Sequence, residues 1–458
     1  MIHRFPASAK TFAALLIPLA LTAQPSHLAG QSAAVTLGRV ALDGLDAEAK
    51  TVPLELSAVW ADPSRDGERY DALWVFAKFE REPGVWGDLR LRSGSARVGD
   101  DSPLAVREVL HPSGYARGLV LYRGARGAGP TSVAVTADWD FGASYFDRPT
   151  DSTDVRVYGV ELVHVPPGAF ALGEDVADSL RQPNAFRAAG GGAFRLASEG
   201  ELAVGDAAGA LTYDVPEGES YAGGDVGGPV PPSFPKGVDG FYVMKYPVTQ
   251  GQYAAFLNAL PPRGRRARDV SAYPNYRERG GSIRCDGAAC VAAYPDRAAN
   301  FLTWADATGW AAWAGLRPMT ELEYEEAAAG TAADSARYAD GALPDRVGSS
   351  RRRSRWGAVD LRGGLWERVV SIGTPEGRAY RGSPGPGFVD ELGYPYAFAN
   401  ADWPGPRAVG SGYRGGTEGL LDLSEVADRT YGAYEATYGD ESQGFRAVLD
   451  LPTADAAE

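Results

Sequence analysis

From about Ala33 to Asp151 apolar and polar positions alternate in short runs, as in Val35-Thr36-Leu37-Gly38-Arg39-Val40 and Leu73-Trp74-Val75-Phe76-Ala77-Lys78-Phe79. A period of two, broken by Gly, Asp or Pro, predicts antiparallel strands and an N-terminal β-sandwich over residues 33–151. Trp60, Tyr70, Trp74, Phe76 and Trp86 are its expected aromatic core. Further along the period becomes helical. Thr249 with Gln252, and Thr320 with Glu323, are capping boxes, in which a hydroxyl and a carboxamide or carboxylate satisfy each other's orphan amides. The first opens a helix whose Tyr253, Phe256, Leu257 and Leu260 form an apolar stripe before Pro261-Pro262. The second places Tyr324, Ala327 and Ala328 on one face and ends at Gly330, the left-handed residue of its C-terminus. Between them a helix from about Thr303 to Ala314 stops at Gly315 and delivers the chain to Arg317. Residues 174–235, rich in Gly, Ala and Pro, predict an insertion of loops and short strands.

The N-terminus adds a compartment to this outline. His3, Arg4 and Lys10 precede the apolar run Phe12 to Leu21, and Leu21-Thr22-Ala23 is a small-residue cleavage candidate. Residues 1–23 therefore read as a secretory signal, with cleavage as late as about residue 31. The run is too short to cross a membrane, and no cysteine follows it to carry a lipid anchor. The expectation is a soluble, secreted, periplasmic or cell-surface protein, with residues 452–458 as a frayed tail. A formal charge of −14 argues against a nucleic-acid partner. Arg351-Arg352-Arg353 and Arg355 read as a solvated loop, and Asp138, Asp140, Asp147, Asp151 and Asp154 as an acidic linker rather than a calcium loop.

Four motifs carry a family resemblance. They are Gly315-Leu316-Arg317-Pro318-Met319-Thr320-Glu321-Leu322-Glu323, Phe241-Tyr242-Val243-Met244-Lys245-Tyr246-Pro247-Val248-Thr249-Gln250, Asp360-Leu361-Arg362-Gly363-Gly364-Leu365-Trp366-Glu367, and the closing pair Tyr413-Arg414-Gly415-Gly416 and Gly444-Phe445-Arg446. In this order they resemble the formylglycine-generating enzyme, or sulfatase-modifying factor, family. Tyr158 to Phe170 looks similar to the family's opening strand pair with its Pro-x-Gly-x-Phe turn. The resemblance implies an α+β fold class: the antiparallel β-sandwich is followed, over residues 154–451, by a C-type-lectin-like domain with low regular secondary structure. The segment Tyr70 to Phe76 is similar to a module that precedes such domains in exported bacterial proteins.

What the resemblance implies chemically is tested by the residues present. Oxidising members carry two cysteines beside the Arg-Gly-Gly motif, which bind copper and attack a substrate thiol. Here Thr417, Glu418, Gly419, Leu420 and Leu421 follow Arg414-Gly415-Gly416 and offer no thiolate. Cys285 and Cys290 lie upstream, where flanking glycines and an exported setting favour a disulfide-closed loop over a displaced redox pair or free thiols. The iron-binding subgroup needs three histidines, and His111, His164 and the signal-proximal His27 are too scattered for such a site. His111 reads as a turn residue and His164 as a satisfied strand residue. Neither copper nor iron is expected. The family's calcium loop maps onto Asp360, Gly363, Leu365 and Glu367, hard oxygen donors suited to Ca²⁺; the alternative is that Asp360 caps a turn and Glu367 pairs with an arginine such as Arg368 or Arg381. Glu323, Glu325 and Glu326 answer the helix dipole rather than act as acid–base catalysts. Two functions follow: an exported, non-catalytic protein acting in binding, through a protein or glycan partner, or in extracellular or surface self-assembly; or an enzyme of this class acting on a protein or small thiol through a non-standard site.

Overall fold

The computed structural model describes residues 35–451 except 39, 151–152, 174–181, 183, 219, 288, 331–345, 350–352, 396–399 and 418–424. The signal region, the C-terminal tail, much of the basic run and the start of the insertion lie outside the described residues. The described chain is β-rich, with 34% strand against 12% helix, so sheet pairing rather than helix packing sets the layout.

The strands that matter most are β1 (Thr51–Trp60), β2 (Arg69–Glu82), β3 (Tyr115–Arg123), β4 (Thr131–Asp140), β5 (Val155–Val165) and β6 (Phe241–Met244). They are followed by helix α1 (Gln250–Ala259), helix α2 (Trp304–Ala314), β7 (Arg317–Pro318), helix α3 (Glu321–Ala328), β8 (Trp366–Val370), β9 (Ser411–Arg414) and β10 (Ala447–Asp450). α1 and α3 start where the capping boxes place them, at Thr249 and Thr320; α2 starts after Thr303, which forms a third capping box with Asp306, and Gly315 ends it with a φ of 73°. Pro261 ends α1, yet Pro262 at once begins a further short helix, Pro262–Arg268, as proline at a first helical position allows.

One sheet runs through both halves of the chain. Its spine passes from Val35–Leu37 through β1, β4, Leu91–Arg92, β3, β2, β5, β6 and β10 to β7. The join is the antiparallel pair β2–β5, in register from Val155 opposite Phe79 to Val163 opposite Asp71. The expected strand pair at Tyr158 to Phe170 does not form. β5 instead lies between β2 and β6, while Phe170–Leu172 pairs with Phe194–Leu196.

Strand β2 is buried without a break from Tyr70 to Phe79 because it is covered on both faces. Leu73, Val75, Ala77 and Phe79 enter the sandwich core beside Trp60 and Trp139. Tyr70, Trp74 and Phe76 face the other way and join the core of α1 and α2. The aromatic set expected inside the sandwich is therefore divided by the pleat, and only Trp60 stays there. Trp86 is half-buried against the second core.

Polar groups fix the same junction. Trp74 Nε1–H donates to the Ala314 carbonyl at 2.8 Å, and Arg117 donates to the carbonyls of Gly315 and Gly385 at 3.0 Å each. Buried Lys78 donates to Asp88 at 2.8 Å and to the Gly387 carbonyl. The Tyr70 and Tyr242 hydroxyls lie 2.9 Å apart. Gly118 makes room for this: a Cβ there would come within 2.5 Å of the Trp74 ring.

Because the core is shared, the two regions should unfold together. Trp74→Ala is expected to cost about 3–5 kcal/mol and to lower a single thermal transition followed by both tryptophan fluorescence and far-UV circular dichroism. Two resolved transitions, with only one shifted, would contradict the continuous sheet.

Candidate functional site

Helix α3 carries four carboxylates, Glu321, Glu323, Glu325 and Glu326. Each is buried and held by arginine. Glu321 receives Arg429 at 2.8 and 3.0 Å and Arg414 at 3.3 Å, and also accepts from Ser371 Oγ and the Ile372 amide. Glu323 takes Arg317 through both oxygens, at 2.9 and 2.6 Å. Glu325 accepts from Arg414 at 2.5 Å and from the Gly173 amide, and Glu326 from Arg355 at 2.7 Å. Burial alone would push Glu321 up, but Arg429 and Arg414 outweigh it and hold the carboxyl below its ordinary range. The helix-dipole reading of these acids thus misses their main partners. The Arg-Gly-Gly arginine, Arg414, is a clamp between α3 and β9, and Arg429 is packed between the rings of Phe186 and Tyr213.

The four calcium-loop residues fall around β8. Asp360 adopts a left-handed φ of 62°, and its Oδ2 accepts from the Gly348 amide at 2.6 Å. Gly363 donates its amide to the Gly415 carbonyl, tying this loop to the Arg-Gly-Gly turn. Leu365 packs against Ala298 and Val347. Glu367 gives both oxygens to Arg446, at 2.7, 2.8 and 3.0 Å, and burial pushes its carboxyl up against the pull of that guanidinium. Arg446 also donates to the carbonyls of Met244, Lys245 and Val359. Ligation by Glu367 would require it to release Arg446, so the donors as arranged suit an arginine rather than a cation. Among the described residues no three His, Cys, Asp or Glu side chains converge as a metal group.

The remaining sequence candidates are dispersed. Cys285 and Cys290 are joined as a disulfide across the hairpin of Ile283–Cys285 and Cys290–Ala292. His164, in β5, shares a hydrogen bond of 2.7 Å with the Glu68 carbonyl and stacks on Tyr70, while His111 accepts from the Ser113 amide and stacks on Tyr115. Thr417 donates to the Gly364 carbonyl; positions 418–424, which follow the Arg-Gly-Gly turn, lie outside the described residues.

Two features escaped the sequence reading. The first is a buried triad at the junction: Lys245 Nζ lies 2.8 Å from Asp71 Oδ1, with Glu161 nearby. Burial opposes the ammonium, but Asp71 and Glu161 prevail and hold Lys245 above its ordinary value. The second is an open groove of about 1020 Å³ bounded by Glu376, Arg381, Trp403, Pro406, Arg407 and Thr437. Asp402 spends its oxygens on the amides of Arg381 and Ser383 and on the Ser383 hydroxyl, whereas Arg381 and Arg407 reach solvent. Neither could be found by motif, since their parts lie far apart in the chain.

Compared with protein families, residues 155–451 match the sulfatase-modifying factor enzyme 1-like domain. The chain belongs to this family. The match begins at the first residue of β5, so the sheet continues across the family boundary into β2. A comparison with curated proteins found no match. Among solved structures, the pilus backbone of Streptococcus pneumoniae aligns at 11% identity and a TM-score of 0.12, over 35% of this chain and 37% of that one, too distant a likeness to inform the fold.

If Glu367 anchors Arg446, Glu367→Gln should cost about 3–5 kcal/mol, and a chelator should leave the melting temperature of the parent protein unchanged. A chelator-induced fall would instead give Asp360 and Glu367 to a cation. Asp428 supplies a pH test, because burial raises its pKa to about 6. Its folded value exceeds the unfolded one, so the native state loses stability as pH rises through that interval. Asp428→Asn should therefore raise the melting temperature at neutral pH, with the gain vanishing below about pH 4.

Proposed function

We propose that the chain is an exported, non-catalytic member of the sulfatase-modifying factor family that acts in binding or extracellular assembly. The observation that carries this reading is the position of sulfur. The chain has two cysteines, both closed in the Cys285–Cys290 hairpin, and none in the stretch after Arg414-Gly415-Gly416 where the oxidising chemistry of the family would be held. A disulfide consumes both thiolates, the groups that the family's oxidising members use to bind copper and to attack a substrate thiol. The carboxylates that might have replaced them are buried under arginines.

Export is supported by the N-terminal basic and apolar run and by the disulfide, which persists in oxidising compartments. A C-type-lectin-like arrangement of the family domain is part of the same proposal. It is supported by the short second sheet of β8, β9 and Gln443–Gly444 and by the long connections that surround it. Binding would use the loop-built groove, whose rim offers the exposed guanidinium groups of Arg381 and Arg407.

The test is oxygen consumption by the full chain, loaded with copper and supplied with a cysteine-containing sulfatase peptide. No turnover above free copper is expected. Stoichiometric loss of the peptide thiol with formation of an aldehyde would return the protein to the enzymes of its family.

A further inference from the structure

The Lys245, Asp71 and Glu161 triad is placed by strand register. Strands β2, β5 and β6 are consecutive in the sheet. Asp71 on β2 stands opposite Val163 on β5, two residues from Glu161, and the Lys245 amide, at the end of β6, donates to the Glu161 carbonyl at 2.9 Å. The pleat therefore turns all three side chains to one face. β2 and β6 are separated by two strand spacings, about 10 Å, a gap that a lysine and an aspartate close when they meet over β5. They do meet, at 2.8 Å, with each side chain only 6% exposed. Asp71 is oriented by the Ser64 amide and hydroxyl, at 2.9 and 2.6 Å on Oδ2. Glu161, also buried, accepts from Trp60 Nε1–H at 3.1 Å.

We propose that Lys245 and Asp71 condense into an intramolecular amide, a covalent cross-link between the N-terminal region and the family domain. The starting state is the ion pair. Asp71 and Glu161 favour the charged pair, so the reactive state is the minor neutral one. It is reached when a proton passes from Lys245 Nζ to Glu161 and on to Asp71, leaving a neutral amine facing a neutral carboxylic acid in a water-poor site. The nitrogen lone pair attacks Asp71 Cγ, the C–N bond forms, and one carboxyl oxygen leaves as water with the two hydrogens lost from nitrogen. An ammonium and a carboxylate become one amide and one water, with no oxidant, reductant or activating nucleotide. Two buried charges disappear in the same step, which favours the product in a low-dielectric environment. Glu161 returns to its initial protonation state.

The experiment is mass spectrometry of the purified full chain, intact and after tryptic digestion under denaturing conditions. The intact protein should be lighter by one water than its sequence from its own N-terminal residue with the disulfide formed. The peptides Tyr70–Lys78 and Gly237–Lys245 should be absent, replaced by one species joining residue 71 to residue 245 and extending past the blocked cleavage after Lys245. Lys245→Arg should restore the unlinked Tyr70–Lys78 peptide, as should Glu161→Gln, whose amide cannot relay the proton. Asp71→Asn distinguishes chemistry from packing, since the same attack would release ammonia and lower the mass accordingly. Free Tyr70–Lys78 and Gly237–Lys245 peptides from the parent chain, at full mass, would overturn the proposal and leave the triad an ion pair.

Discussion

The structure rests on the pairing of β2 with β5. β2 supplies aromatic and aliphatic side chains to two cores at once, and β5 is the strand that lets it do so, by continuing the sheet from the N-terminal sandwich into the family domain. An edge at this position would expose a row of amides and carbonyls on a strongly apolar strand, a template for unwanted association. Pairing removes that edge for both regions. The polar contacts of Trp74, Arg117 and Lys78 then set the angle at which α2 and its following turn lie on the sheet.

Away from this junction, buried arginines organise loops that have little regular structure of their own. Arg317, Arg414, Arg429 and Arg446 each bridge segments distant in sequence, using the planar fork of the guanidinium to hold carboxylates and carbonyls together. Such pairs repay their desolvation only when every oxygen and N–H is nearly satisfied, which makes them exacting about loop position even where their net contribution to stability is small. The family's motif arginines therefore have a structural use that does not depend on the oxidative chemistry elsewhere in the family.

Much of the local structure was legible in the sequence. The three capped helices are encoded by residues three positions apart, and Thr249, Thr303 and Thr320 mark their starts without help from the rest of the chain. The four motifs that fixed the family were likewise local. What could not be read were partners across long separations: that Tyr70, Trp74 and Phe76 leave the sandwich, that Phe170 pairs with Leu196 rather than with β5, and that Glu367 meets Arg446 instead of Arg368 or Arg381. The continuous apolar run Ala72 to Ala77 fits a strand covered on both faces, but the run does not name the second core that covers it. Carboxylates on α3 resemble dipole-compensating residues until the arginines from positions 414 and 429 arrive.

The order of strands in the sheet is not the order of their synthesis. β10, near the end of the chain, inserts between β6 and β7, so Phe241–Met244 acquires its second neighbour only when Ala447–Asp450 has been made. Closure of the family domain therefore waits for Ala447–Asp450, whereas β1 to β5 can assemble early around their own core. Until then the free edge of the growing sheet lies at β6, which pairs with β5 on one side only, and β10 is the latch that covers it.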